Sequence, residues 1–187
     1  MTFVWVLIVL AAGAVGLVVA TYNRLIGLKN QIDYARGAID ALLKKRFDLI
    51  PNLVETVKAY AKHERETLER VTELRSRVGR AQSDDERFKL EGELSGLLGR
   101  LLVQLEAYPQ LKANENFLEL QASLNEIEEQ LAASRRAYNA AVVQFNNAVE
   151  MFPSNMVASW MGLKPRPVFQ AEEAARTAPD VGRMFGS

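Results

Sequence analysis

The residues able to do chemistry are few, because the chain has one histidine and no cysteine. Without cysteine, disulfides and thiolate metal sites are excluded. A di-iron bundle needs a Glu-x-x-His motif from each of two helices, but Tyr60 stands three residues before His63. The H-E-x-x-H zinc motif fails at Thr67, where its second histidine would stand. His63 lies in a charged run, which favours an exposed surface histidine over membership of a Ser-His-Asp triad.

Acidic residues cluster at Glu126, Glu128 and Glu129. Neighbouring carboxylates can serve acid-base or metal chemistry. Ile127 and Leu131 define the apolar face of the same predicted helix, however, and the glutamates flank that face. The favoured interpretation is therefore a solvated surface.

Asparagines follow two apolar positions of this helix. Asn139 and Asn146 are one heptad apart, which places them on one edge, and Asn147 follows. Hydrogen bonds between helices that set their register are the ordinary explanation, and a polar ligand groove is the weaker alternative. No phosphate-binding loop or dinucleotide motif appears in the sequence. We therefore predict no catalytic, cofactor-binding or metal residues, no cofactor, no small-molecule substrate and no enzyme activity.

The overall charge gives no sign of a nucleic-acid partner. The 187 residues include 23 basic and 23 acidic side chains, whereas nucleic-acid binding usually needs a basic surplus. The length suits one membrane segment and one domain.

The N-terminal segment predicts a membrane anchor at residues 1–21. Phe3 to Ala20 carries no charge and as a helix would span about 27 Å, close to the apolar core of a bilayer. Basic residues follow this segment and none precedes it, which predicts a single-pass membrane protein with its N-terminus outside and its domain in the cytoplasm. A cleaved signal peptide ending at Ala20 is the alternative, but the basic n-region is missing and the apolar run is long.

Small residues recur every fourth position within the anchor, at Ala12, Gly16 and Ala20. Such spacing lets two membrane helices approach closely. These three residues are the candidate self-association site, and a homo-oligomer is the corresponding expectation.

The rest of the chain predicts helices, since apolar residues recur at threes and fours. Pro51 predicts a break or kink near Phe47–Ile50, with one long bent helix as the alternative. Leucines from Leu90 to Leu105 line the third helix. The fourth has the clearest repeat: Phe117, Leu120, Leu124, Ile127, Leu131, Ser134, Tyr138, Ala141, Phe145, Ala148 and Phe152.

The predicted fold is all-α: a single transmembrane helix followed by an antiparallel four-helix bundle at residues 22–153. A long coiled-coil dimer is the alternative arrangement for such heptads. Residues 154–187 are expected to form a short helix, an extended linker at 164–167 and a partly flexible tail. Docking of the short helix is favoured over contact of its Met156, Val157, Trp160 and Met161 with a membrane or partner.

Motifs from the anchor to the end of the fourth helix form one combined pattern. They are Tyr22-Asn23-x-Leu25, Lys45-Arg46-Phe47-Asp48-Leu49-Ile50-Pro51-Asn52-Leu53-Val54-Glu55, Tyr108-Pro109-x-Leu111-Lys112-Ala113-Asn114-Glu115-Asn116-Phe117-x-x-Leu120-Gln121, Tyr138-Asn139, and Asn146 followed by Phe152-Pro153. In this combination the chain resembles the LemA family over residues 1–163. The resemblance implies a bacterial single-pass protein of the inner (cytoplasmic) membrane, with a four-helix bundle and no established catalytic residues or cofactor.

The resemblance also implies proximity to membrane proteases or to compartments such as magnetosomes, which is an association and not a mechanism. We therefore expect a membrane-tethered scaffold or adaptor that self-associates or binds other membrane proteins, such as proteases. The alternative is a signalling or sensing element that acts through a change in helix packing, with the glycines of the third helix and Pro51 as its movable parts.

Overall fold

The computed structural model describes residues 1–82 and 84–169, and in that part of the chain the regular structure is entirely helical. The predicted all-α class is confirmed. The helices are α1 (Thr2–Lys58), a 3-10 turn (Lys62–Glu64), α2 (Arg65–Val78), α3 (Asp84–Leu105), α4 (Pro109–Lys112), α5 (Glu115–Glu150) and α6 (Ser154–Trp160).

A break or kink was predicted near Phe47–Ile50. The break is wrong, because α1 continues through Pro51 to Lys58, and the kink stays a prediction. The alternative of one long helix describes its continuity. Proline has no N–H to donate to the carbonyl four residues earlier, which is that of Phe47. The Nε of Arg75 in α2 donates to this carbonyl oxygen instead, at 3.0 Å. A contact distant in sequence therefore offsets the local cost of proline.

The N-terminal part of α1 is the one helix of the described residues that is long and apolar enough to cross a membrane. Its most apolar window has a mean hydropathy of 2.7 and none of its residues is buried. This finding is compatible with the predicted anchor. The proposed domain boundaries at 21 and 153 stay predictions, and residues 170–187 of the tail lie outside the described part.

The chain forms two compact units. We name them the first unit, Met1–Asp40 with Ala132–Phe169, and the second unit, which includes Ala41–Leu131. The second unit is built on a leucine-rich core to which α1, α2, α3, α4 and α5 all contribute. The leucine face predicted for α3 is confirmed at Leu90, Leu94, Leu101 and Leu105, which are buried.

The first unit has its own core, to which α1, α5 and α6 contribute. Its buried members are Leu25, Ile32, Ala141, Val142, Phe145, Ala148, Val149 and Ala158. Val157 of the short helix α6 and Met161 directly after it pack against this core, as expected for docking. The prediction is wrong for Met156 and Trp160, which are 66% and 75% exposed. The helix is amphipathic, and only one of its faces docks.

Candidate functional site

The second unit buries two side chains of opposite charge within its core. Arg46 of α1 is 1% exposed and Glu91 of α3 is 3% exposed. A buried charge is costly unless it is paired and hydrogen-bonded. Arg46 stands where the apolar stripe of α1 would continue, between Leu43 and Ile50, so its guanidinium points into the unit.

The Arg46 guanidinium joins three helices. Its Nη2 pairs with the Glu91 carboxylate and donates to the Glu91 carbonyl oxygen at 3.3 Å. Its Nη1 donates to the hydroxyl of Ser95 and, at 2.8 Å, to Oε2 of Glu128 in α5. Glu91 and Ser95 are four residues apart and so share one face of α3. We name Arg46, Glu91, Ser95 and Glu128 the Arg46 network.

The chemistry of the Arg46 network is that of an ionic cross-link. An arginine keeps its proton at physiological pH and therefore cannot act as a base. Two carboxylates face one guanidinium, and the side chain of Glu128 is 46% exposed, so water screens part of the excess negative charge. Among the described residues, no group of three or more histidines, cysteines or acidic residues is placed to hold a metal ion. The network fixes the register of α1, α3 and α5.

The first unit holds a second polar constellation, in which α5 binds an extended segment. The Asn146 amide accepts from the Arg166 N–H at 2.8 Å and donates to the Arg166 carbonyl oxygen at 2.8 Å. The Asn139 amide makes the same pair of bonds with Phe169, at 2.8 and 3.0 Å. We name these two asparagines the asparagine clamp.

Side chains of the bound segment also contact the first unit. Nη1 of Arg166 lies 2.9 Å from the Asp33 carboxylate of α1, and its guanidinium lies 5.8 Å from the centre of the Phe145 ring. The Phe169 ring meets that of Tyr138 edge to face, with centroids 4.8 Å apart. Cation–π and edge-to-face contacts of this kind are favourable.

The structure separates the residues that the sequence singled out. His63 is exposed, as predicted, and so are Glu126 and Glu129. The side chain of Glu128 is also partly solvated, at 46% exposed, but its carboxylate accepts a hydrogen bond from the buried Arg46 guanidinium, which the sequence analysis did not predict.

The prediction of bonds between helices is wrong for Asn139 and Asn146, because they bind extended backbone instead. Asn147 is exposed. Sequence analysis missed Arg46, although a cation on an apolar stripe was a usable signal. It also missed Asp33 and Arg166, whose separation of 133 residues leaves no local pattern.

These observations define an all-α protein with a candidate membrane segment and two polar constellations that hold its helices and one extended segment in place. The chain belongs to the LemA family, whose family model matches residues 35–182.

Individual relatives agree with this assignment. The chain is 29% identical to Protein LemA of Metamycoplasma hominis over 163 residues, which are 87% of this chain and 74% of that protein. It is 30% identical to Magnetosome protein MamQ 2 of Paramagnetospirillum magneticum and 26% identical to Magnetosome protein MamQ of Magnetospirillum gryphiswaldense, over 95 residues in each case. Those 95 residues are 51% of this chain but 35% of each magnetosome protein.

Proposed function

We propose that this protein is a membrane-anchored scaffold or adaptor without catalytic activity. The observation that carries the proposal is the continuity of α1. One helix of 57 residues begins with an unburied apolar segment and continues into the buried cores. Such a helix would hold a folded domain at a membrane surface without a flexible linker.

The proposed anchor is residues 1–21 in the bacterial inner membrane, with the N-terminus outside and the domain in the cytoplasm. The basic residues Arg24 and Lys29, which follow the apolar segment, support this orientation. The exposed Trp160 belongs to the same unit as the anchor, and an indole ring is well suited to a membrane–water interface.

For residues 22–153 we propose an antiparallel four-helix bundle. Support comes from the core of the second unit, where α1, α2, α3 and α5 each contribute buried apolar residues. The buried pairing of Arg46 with Glu91 also favours packing within one chain over a coiled-coil dimer, because the partners of the guanidinium come from its own α3 and α5.

The proposed self-association surface is Ala12, Gly16 and Ala20. A side chain built at Gly16 would meet nothing within 4 Å, so the surface is open to a neighbouring helix. A homo-oligomer formed in this way would present several domains to membrane proteins, among which proteases are the expected class.

The sensing alternative is less favoured. It requires α1 to bend at Pro51, but the Arg75 hydrogen bond to Phe47 stabilises that turn. The glycines of α3 are the support that remains for it, because added side chains at Gly96 and Gly99 would be accommodated, so packing does not require glycine there.

The test is crosslinking of the full-length protein in intact cells, followed by purification in mild detergent and measurement of mass and co-purifying chains. An assembly larger than a monomer is expected. Gly16→Ile should reduce it, whereas Ala14→Ile, on the opposite side of the same helix, should leave it intact. A monomer that captures no partner would overturn the scaffold proposal and transfer support to sensing.

A further inference from the structure

The asparagine clamp binds backbone in the way that a neighbouring β-strand would. Each primary amide offers one donor and one acceptor to the N–H and C=O of a single residue. Arg166 and Phe169 are each held by two such bonds, and the four donor–acceptor distances lie between 2.8 and 3.0 Å. Both asparagines are half-buried, so these bonds are partly shielded from water.

The spacing of the clamp matches the repeat of an extended peptide. Asn139 and Asn146 are seven residues apart on a helix, a rise of about 10.5 Å. Arg166 and Phe169 are three residues apart, and three extended residues span about 9–10 Å. Pro165 and Pro167 have fixed φ angles and favour extended conformations at the residues before them, Lys164 and Arg166. The helix and the extended segment therefore stay in register over both contacts, Asn146 with Arg166 and Asn139 with Phe169.

The exposure of the segment follows the same period of three. Leu163, Arg166 and Phe169 are half-buried, whereas the residues between them are exposed: Lys164, Pro165, Pro167 and Val168. A polyproline helix has three residues per turn and so presents every third residue to the same side. The segment leaves α6 at Gly162, whose φ of +68° and N–H bond to Ser159 form a helix C-cap.

Side-chain contacts add selectivity to these sequence-independent backbone bonds. Where Asn146 binds Arg166, Asp33 and the Phe145 ring contact the Arg166 guanidinium. Where Asn139 binds Phe169, the Tyr138 ring contacts the Phe169 ring. The site thus matches an extended segment in which proline follows an arginine and an aromatic residue stands three positions after that arginine.

We propose that Asn139 and Asn146 form a peptide-binding site for Arg-Pro-x-aromatic segments, which segment 164–169 of the same chain occupies in cis and a partner protein carrying this pattern occupies in trans. This inference deepens the proposed adaptor function, on which its trans partner rests. A tethered segment has an effective concentration in the millimolar range. The cis segment therefore makes the site selective for partners that are themselves concentrated at the membrane.

The test measures binding of a fluorescent peptide with the sequence of segment 164–169 to the full-length protein in nanodiscs, by fluorescence anisotropy. The protein that is to bind the peptide, which we name the recipient, carries Arg166→Ala with Phe169→Ala. These substitutions weaken the binding of its own segment 164–169. We expect the recipient to bind the peptide at least about tenfold more tightly than the unaltered protein does. Asn139→Asp with Asn146→Asp in the recipient should abolish binding, because a carboxylate cannot donate to the peptide carbonyl.

Peptide variants keep the test independent of protein folding. N-methylation at the phenylalanine removes the N–H that Asn139 accepts and should weaken binding at least about tenfold. N-methylation at the valine, whose N–H binds neither asparagine, is the matched control. A recipient that binds no peptide, or that binds the two methylated peptides equally, would overturn the proposal. The crosslinked assembly does not depend on this result, so failure here and failure of the scaffold proposal are distinguishable.

Discussion

The Nε of Arg75 donates a hydrogen bond to the carbonyl oxygen of Phe47, at 3.0 Å. The same guanidinium lies over the Phe47 ring, with its central carbon 3.8 Å from the ring centre. Pro51 leaves this carbonyl without its helical donor, so the side chain of α2 completes the backbone bonding of α1. The continuity of α1 through its proline therefore has a tertiary cause.

Removal of Arg75 should expose the cost of Pro51. Arg75→Ala is expected to destabilise the protein by about 1–3 kcal/mol, because it removes a hydrogen bond and a cation–π contact. Chemical denaturation of the detergent-solubilised protein measures this change. Arg77→Ala, at an exposed position of the same helix, is the control and should have little effect.

A double-mutant cycle separates the two contributions of Arg75. In a Pro51→Ala background the new N–H bonds to the Phe47 carbonyl, so Arg75→Ala should cost less than it does beside proline. An equal cost in both backgrounds would show that the hydrogen bond does not compensate for the proline.

Single substitutions in the Arg46 network should rank by the burial of the charge that they leave unpaired. Arg46→Met leaves the Glu91 carboxylate buried without its partner and should cost about 3–5 kcal/mol. Glu128→Gln should cost no more than about 1 kcal/mol, because that side chain is half-exposed. The free energy of unfolding tests this order, and a larger loss for Glu128→Gln contradicts it.

Joint replacement of the buried pair should be tolerated better than the loss of either charge. Arg46→Met with Glu91→Leu removes both buried charges together and should recover most of the stability lost in Arg46→Met alone. If the double variant is as unstable as the single one, shape rather than charge pairing decides the position.

Gly99→Ala should stabilise α3. Gly99 is exposed, and an added Cβ would meet nothing within 4 Å. Alanine in a helix is favoured over glycine by about 0.5–1 kcal/mol. Thermal unfolding measures the gain. A scaffold should keep its assembly in this variant, whereas a sensor that needs a flexible α3 should lose its response.

The Tyr108 phenol should ionise at a higher pH than an ordinary tyrosine. Burial, together with the hydrogen bond that its hydroxyl donates to Glu64 at 3.2 Å, raises the pKa of Tyr108 above 10.0. The raised value means that the neutral phenol stabilises the fold. This stability is present below pH 10 and is lost as the pH rises through the pKa of the folded state. Ultraviolet titration of Tyr108→Phe should lack a late step that remains in Tyr34→Phe.

Periodicity predicted the helices and most of the core, because burial of one face imposes a repeat that a single sequence displays. Leu94 and Phe145 are buried where their stripes place them. Local rules failed at Pro51, where the compensating donor lies 24 residues further along the chain in a different helix.

The candidate sites were beyond pattern reasoning for a related reason. An asparagine on a helix edge has the same local signature whether its partner is another helix or an extended segment. The bond from Asn139 to Phe169 spans 30 residues and a change from helix to extended chain. The burial of Arg46 could have been predicted more readily, since its position on an apolar stripe between Leu43 and Ile50 is visible in the sequence itself.

The unbroken start of α1 gives the first unit a mechanical property. Between the apolar segment and the buried Leu25 and Ile32 the helix has no joint. In a thinner bilayer the proposed anchor would tilt to match the thickness, and a stiff helix would pass that tilt to the part of the first unit that is fixed to its other end. The angle at which the first unit meets the membrane would then report the local thickness of the lipid.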